Sequence, residues 1–282
     1  MNKVYVPPAS GIGTPSSPAE TPAKKWRPGP KSRGALLGLA LPVILLAAWQ
    51  AAGNLGLTSE TLLPTPLEIA AAFADLIRTG ELFGHLEISM YRAALGFGLG
   101  AGLGLVFGIL VGFVRRFEQT LDPSLQMLRM IPHLAVTPLF ILWFGFGELS
   151  KILLIAKGAF FPVYVNTFLG IRGVDIKLFE VSRVLQYSRF KQIALLIVPA
   201  ALPNILLGIR LSLGVAWLGL VVAELMGSSA GIGYLIMDAR QFSQTPIVFV
   251  GILIFALVGK LTDSLVRFLE RRLLRWRDSY GG

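Results

Sequence analysis

Five ionisable side chains stand inside or beside long apolar runs: Arg92, Lys157, Arg210, Glu224 and Lys260. Charge is costly in hydrocarbon, so each is a functional candidate by default. Lys157 lies about seven residues into its run, roughly 10 Å at 1.5 Å per residue. From there its ammonium either draws an anion into a watered path or reaches the headgroups. Arg92 and Glu224 fall near the outer ends of their runs, where long side chains snorkel to the interface, and a structural role suits them better. Arg210 is a weaker candidate for the same path as Lys157. No acidic or histidine relay accompanies Lys157, which weakens a proton-coupled reading. The two histidines, His85 and His133, are far apart and form no ligand cluster. The chain has no cysteine, which excludes disulfides and thiolate metal sites, and no metal is expected.

The runs that carry these groups dominate the chain. Hydrophobic residues make up 54% of the 282 and charged residues only 15%, against about a quarter in soluble domains. Several runs reach the ~20 apolar residues that cross a bilayer as a helix. They are continuous rather than alternating, which argues against spanning strands. The expected fold is an all-α polytopic bundle of six spans, near 34–53, 88–113, 124–146, 150–171, 200–225 and 244–266. Pro132, Pro138 and Pro162 interrupt the third and fourth. Such breaks are tolerated where neighbouring helices satisfy the freed backbone groups.

Charge gives orientation. Residues 1–33 hold six Lys or Arg and seven prolines and read as a disordered tail. The run after it reads as an uncleaved anchor rather than a signal peptide. Between 54 and 87 Arg78 is the only base, against five acids. Between 172 and 199 there are five bases, between 226 and 243 only Arg240, and after 266 five again. This alternation places both termini in the cytoplasm. The net charge of +10 therefore reflects loops beside a membrane, and nucleic acid is not an expected partner. The core domain is expected over 88–266, with a basic cytoplasmic tail over 267–282.

Two patterns organise the runs. Gly96, Gly100, Gly104, Gly108 and Gly112 repeat every four residues. A helix side without side chains lets another backbone approach closely, so a tight helix pair is expected there. The second pattern is the loop over 175–199. Lys177, Glu180 and Arg183 share one helix face, with Leu178, Val181 and Val184 or Leu185 on the other. Asp175 is placed to cap this helix, and Ser188 to cap a second one carrying Arg189, Lys191 and Gln192. The helices join near Gln186–Tyr187, and Pro199 re-aims the chain into the fifth span. On pattern alone, the pair is either an interfacial helix on lipid or a docking surface for a cytoplasmic partner.

Glu180 to Pro203, followed by NILLGIRLSLGVAWLGLVVAE and GIGYLIMDARQF, resembles the coupling loop and following helices of ABC-importer permeases. The segments GELFGHLEISMYRAALGFG, QMLRMIPHLAVTPLFILWFG and FFPVYVNTFLGIRGVD are similar to the aliphatic sulfonate, taurine, nitrate and bicarbonate subfamily, most of all to its aliphatic sulfonate permeases. The resemblance runs from about Trp49 to Trp276. It implies a homodimer of permease copies in the bacterial inner membrane, two cytoplasmic ATPase subunits and a periplasmic binding protein. ATP and Mg would sit on the ATPase, and this subunit would bind no cofactor and not be an enzyme. In agreement, no G-x-x-x-x-G-K-[ST] loop is present, and Gly259–Lys260 is followed by Leu261.

The same resemblance makes Glu180, Val181, Ser182, Arg183, Gln186, Ser188 and Arg189 the coupling surface to the ATPase. Five positions depart from the family pattern, among them Val181 and Ser182, which stand where the family has alanines. Gln186 stands where the family has a glycine, so the joint must turn differently or bear strain. Ala200 replaces a glycine after the first proline. Lys157 stands where related permeases are apolar. The rival readings are a permease for taurine, nitrate or bicarbonate, and, in another class, a self-sufficient secondary transporter or channel.

Overall fold

The computed structural model describes residues 31–59 and 61–274, with backbone alone for 31–39. The expected tail over 1–33 lies outside these residues up to Lys31, where helix begins, and the last eight residues of the expected C-terminal tail also lie outside. The described elements are α1 (Lys31–Asn54), α2 (Pro66–Arg78), α3 (Glu81–Phe113), α4 (Arg115–Arg129), α5 (His133–Phe144), α6 (Glu148–Arg172), α7 (Ile176–Val184), α8 (Arg189–Gln192), α9 (Val198–Leu225), α10 (Ile232–Gln241) and α11 (Thr245–Leu273). A π turn over Ile193–Ile197 joins α8 to α9. The chain divides into two units, Met1–Ala47 and Ala48–Gly282, and every helix from α2 to α11 belongs to the second.

α6 is the central post of that second unit. On one side it receives the glycine stripe of α3. A Cβ added at Gly96 would stand 2.6 Å from the Cβ of Ile155, and one at Gly108 would stand 2.8 Å from the Tyr164 carbonyl oxygen. Gly112 meets Ile171, so the partner residue advances with the glycine and the two helices run parallel. On its other side α6 holds α9, which runs antiparallel. Gly208 abuts Pro162 and Asn166, Gly219 lies by Ile155, and the Ser212 hydroxyl donates to the Ala159 carbonyl at 2.6 Å. Small residues in lipid allow this backbone approach and the packing that holds the helices together. α11 then packs on α9, where Trp217 Nε1 donates to the Phe255 carbonyl at 3.1 Å.

Two of the predicted spans come out differently. The third is not one rod: α4 and α5 meet at 100°. Pro132 is the residue before α5 and lacks the N–H that would continue α4. The fourth stays unbroken through Pro162, and the Asn166 side-chain amide donates to the Pro162 carbonyl at 2.8 Å. α3, α6, α11 and the continuous run Arg189–Leu225 are each long and apolar enough to cross a membrane, and the bent pair makes a fifth span if counted as one. The apolar stretch Ala40–Asn54 is shorter. The expected count of six is therefore not reached by length and hydropathy among the described residues.

Pro199 does not turn the chain as expected. The helix passes through it without a stop, and the preceding π turn absorbs the mismatch: the Val198 N–H reaches back to the Ile193 carbonyl. Two helices fall where the sequence reading has only connections. α2 opens on a capping box, in which Glu68 N–H donates to Thr65 Oγ1 and Thr65 N–H donates to the Glu68 carboxylate. Its Ile69 and Leu76 join Leu82, Ile232, Leu235, Val250, Ile254 and Val258 in one apolar core. α10 supplies Ile232 and Leu235 to that core.

Candidate functional site

Because α3 and α6 run parallel and α9 returns, one end of the bundle gathers the start of α3, the start of α6, the end of α9 and α10. The opposite end carries α7 and α8. The nominated coupling residues all lie at this second end. Asp175 accepts from Lys177 N–H at 3.0 Å, and Ser188 Oγ accepts from Lys191 N–H at 3.4 Å, so both helix starts form where their caps are. The inner side is anchored by Ile171, Val174, Ile197 and Ala201, with Phe179 against them.

The outer side is left open. Glu180, Val181, Arg183, Gln186, Ser188 and Arg189 are exposed. So are two large apolar neighbours, Val184 at 83% and Phe190 at 80%. Ser182 departs from this set. It is 1% exposed, and its hydroxyl donates to the Phe179 carbonyl at 2.8 Å. It braces α7 from inside and offers nothing to a partner.

The joint between α7 and α8 is a left-handed helix stop. Gln186 sits at φ +50°, Tyr187 N–H bonds the Ser182 carbonyl at 2.9 Å, and Gln186 N–H bonds the Arg183 carbonyl at 3.0 Å. These are the two bonds of a Schellman ending, whose left-handed position usually holds glycine. Gln186 therefore keeps the geometry a glycine would give and bears the strain of a side chain there.

The two path candidates do not come together. The Lys157 ammonium donates to the Ile131 carbonyl at 2.8 Å, one of the carbonyls released by the break between α4 and α5. Arg210 is half-buried on α9 and donates to Asp263 of α11 at 3.0 Å, with Glu270 at 3.9 Å. They line different cavities, about 390 Å³ beside Lys157 and about 320 Å³ beside Arg210.

Arg92 and Glu224 do not snorkel as the sequence suggests; they form a connected polar group inside the bundle. Each is 1% exposed. The Arg92 guanidinium forks onto Glu148 of α6, with two N–O distances of 2.6 Å, and reaches Glu224 of α9 at 2.9 Å and the Ala230 carbonyl at 2.6 Å. Glu224 in turn accepts from the Ser89 hydroxyl at 2.7 Å and from Gly233 N–H at 2.8 Å. Ile232 N–H donates to Ser89 Oγ at 2.9 Å. Thus the first turn of α10 finds partners for N–H groups that no helix can satisfy internally. Gly231 enters this turn at φ +110°, and a Cβ on it would strike the Glu224 carboxylate. The network ties α3, α6, α9 and α10 at one end. Arg92 and Glu224 lie 132 positions apart, which explains why each looks isolated in the sequence.

Among the described residues no cluster of three or more His, Cys, Asp or Glu could hold a metal. The family described as "Binding-protein-dependent transport system inner membrane component" matches residues 104–275. A relative from Bacillus subtilis (strain 168), carrying the name aliphatic sulfonates transport permease protein SsuC, is 70% identical over 268 residues, or 95% of this chain and 96% of that protein. An Escherichia coli (strain K12) relative of the same name is 48% identical over 92% of this chain and 97% of its own. Among solved structures, a chain of an amino acid ABC transporter crystallised with histidines matches with a TM-score of 0.60 at 18% identity. The match covers 71% of this chain and 98% of that one, a likeness of fold.

Proposed function

The chain belongs to the inner-membrane components of binding-protein-dependent transport systems, and from that premise we propose that it is the permease of an ATP-driven importer of aliphatic sulfonates. The observation that carries the substrate is the 70% identity, over nearly the whole length of both chains, to a relative named for aliphatic sulfonates. The chain spans the membrane several times. Both termini and the α7–α8 end face the cytoplasm, in keeping with the alternation of Lys and Arg along the sequence.

Two copies of the permease engage two ATPase subunits, which hold ATP and Mg, and a periplasmic binding protein delivers the solute. The exposed face of α7 and α8 docks in the ATPase, with Val181, Val184 and Phe190 filling an apolar cleft and Glu180, Arg183 and Arg189 matching charges around it. Closure of the ATPase pair moves this rigid handle. The displacement passes into α6 and α9 through the Ile171–Val174–Ile197–Ala201 packing. Lys157 belongs to the solute path, whereas Arg210, already held by two carboxylates, secures α9 to α11.

The test is ATP hydrolysis by the reconstituted complex with its binding protein. Ethanesulfonate should stimulate hydrolysis severalfold more than taurine, nitrate or bicarbonate. Stimulation by nitrate or bicarbonate with none by sulfonates would refute the substrate and leave the permease class standing.

A further inference from the structure

The start of α10 is clasped onto α3 and α9 through three successive backbone N–H groups. Gly231 N–H donates to His85 Nδ1 at 3.0 Å, Ile232 N–H to Ser89 Oγ at 2.9 Å and Gly233 N–H to Glu224 at 2.8 Å. One residue earlier, the Ala230 carbonyl accepts from Arg92 at 2.6 Å. His85, Ser89 and Arg92 share one face of α3, since residues three and four apart are neighbours on a helix. The three acceptors differ in how they answer to pH. The Ser89 hydroxyl keeps its form across ordinary pH, and the Glu224 carboxylate is held by Arg92 at 2.9 Å. His85 is the exception, because histidine changes charge between about pH 5 and 8.

An N–H can donate only to a ring nitrogen without a proton, so in this geometry His85 is neutral and carries its proton on Nε2. A proton added at Nδ1 turns the acceptor into a second donor that faces Gly231 N–H. The bond is complete while the ring is neutral and is lost as the pH falls, leaving a buried N–H without its partner. Around the ring stand Glu81 on its own helix, 3.8 Å from Nε2, and Tyr234 on α10, with ring centres 5.8 Å apart. The Tyr234 hydroxyl donates to Asp238 at 3.3 Å. Arg92 and Glu224 lie against Gly231 and are already paired with each other. Glu81 therefore offers the imidazolium a carboxylate that does not involve Gly231. The His85 side chain is 16% exposed, which leaves it open to protons from solvent. We propose that His85 is a proton-sensitive clasp at the outward end of the permease, which holds α10 when neutral and releases Gly231 when protonated, slowing import as the outside medium acidifies. The outward position and the effect on import rest on the function proposed above.

The test uses the complete complex in proteoliposomes, with ATP inside and the binding protein and ethanesulfonate outside. Only the outer pH changes, from about 7.5 to about 5.5, which carries histidine through its change of charge. A sulfonate stays anionic throughout, and the binding protein meets the same acid in every complex. Wild-type uptake should fall at least threefold. His85→Asn keeps an acceptor oxygen near the place of Nδ1 and takes no proton, so its uptake should change by less than about 1.5-fold. His85→Leu lacks the acceptor and should show at pH 7.5 the lowered uptake that wild type shows at pH 5.5. A flat wild-type profile, or His85→Asn falling in parallel with wild type, overturns the clasp and leaves the function standing. If the wild-type complex imports nothing at either pH, the proposed function falls. The clasp is then read from the thermal midpoint of the purified permease in detergent. On acidification it should drop by at least 3 °C more in wild type than in either variant, and equal drops in all three overturn the clasp.

Discussion

The two ends of the bundle treat polar and apolar groups in opposite ways. At one end Arg92 and Glu224 are sealed from solvent and engaged by Glu148, Ser89, Gly233 and the Ala230 carbonyl. At the other, α7 and α8 leave Val184 and Phe190 exposed, and their joint holds Gln186 in a backbone conformation that side chains disfavour. The first end is built to stay as it is. The second has apolar surface and charge to offer, with its geometry fixed by caps and a helix stop. A charge inside a membrane protein is a functional candidate by default, but the contrast shows that a complete set of internal partners returns it to structure.

If the sealed end is structural, damage there should appear in stability. Arg92→Met leaves Glu224 buried without its cation, which should cost about 3–5 kcal/mol. The drop in thermal midpoint of the purified permease in detergent measures this. Ser89→Ala removes one donor to Glu224 and the acceptor of Ile232 N–H, an expected loss of about 1–3 kcal/mol in the same assay. A midpoint within a degree of wild type for both would erase the distinction between the ends.

At the open end the signs change. Gln186→Gly relieves the left-handed strain and should stabilise the loop by about 0.5–1 kcal/mol, net of the entropy glycine adds to the unfolded chain. Slower amide exchange over 176–192 would report it. Glu180→Lys should shift stability by less than about 0.5 kcal/mol, as for exposed substitutions in general. The ATPase should nonetheless co-purify with it at least fivefold less. Equal recovery of ATPase with wild type and Glu180→Lys would remove Glu180 from the docking face.

Much of this was legible in the sequence because lipid imposes long apolar runs and a charge asymmetry. Most of the span limits, the glycine groove and the Asp175 and Ser188 caps are all local patterns. The losses have physical causes. Hydropathy reports whether a segment is apolar but not whether it is straight, so the 100° bend at Pro132 was hidden inside one predicted span. Helix periodicity gave Ser182 no inward direction, because a serine fits either face and only the packing of Phe179 decides. The Arg92–Glu224 pair joins residues 132 positions apart, and one of the other donors to Glu224, the Gly233 N–H of α10, is a backbone group that leaves no mark on side-chain pattern. α2 could have been found: Thr65, Pro66 and Glu68 spell a capping box with proline at the first helical position.

The distinction between the ends holds only if the open end receives force from an ATPase. The most direct measurement is sulfonate uptake into proteoliposomes that contain the permease, the binding protein and an ATPase whose phosphate-loop lysine has been replaced by alanine. Uptake should fall to the level of liposomes without protein while the complex still assembles. Uptake at the wild-type rate with the disabled ATPase would contradict it and make this chain a transporter in its own right.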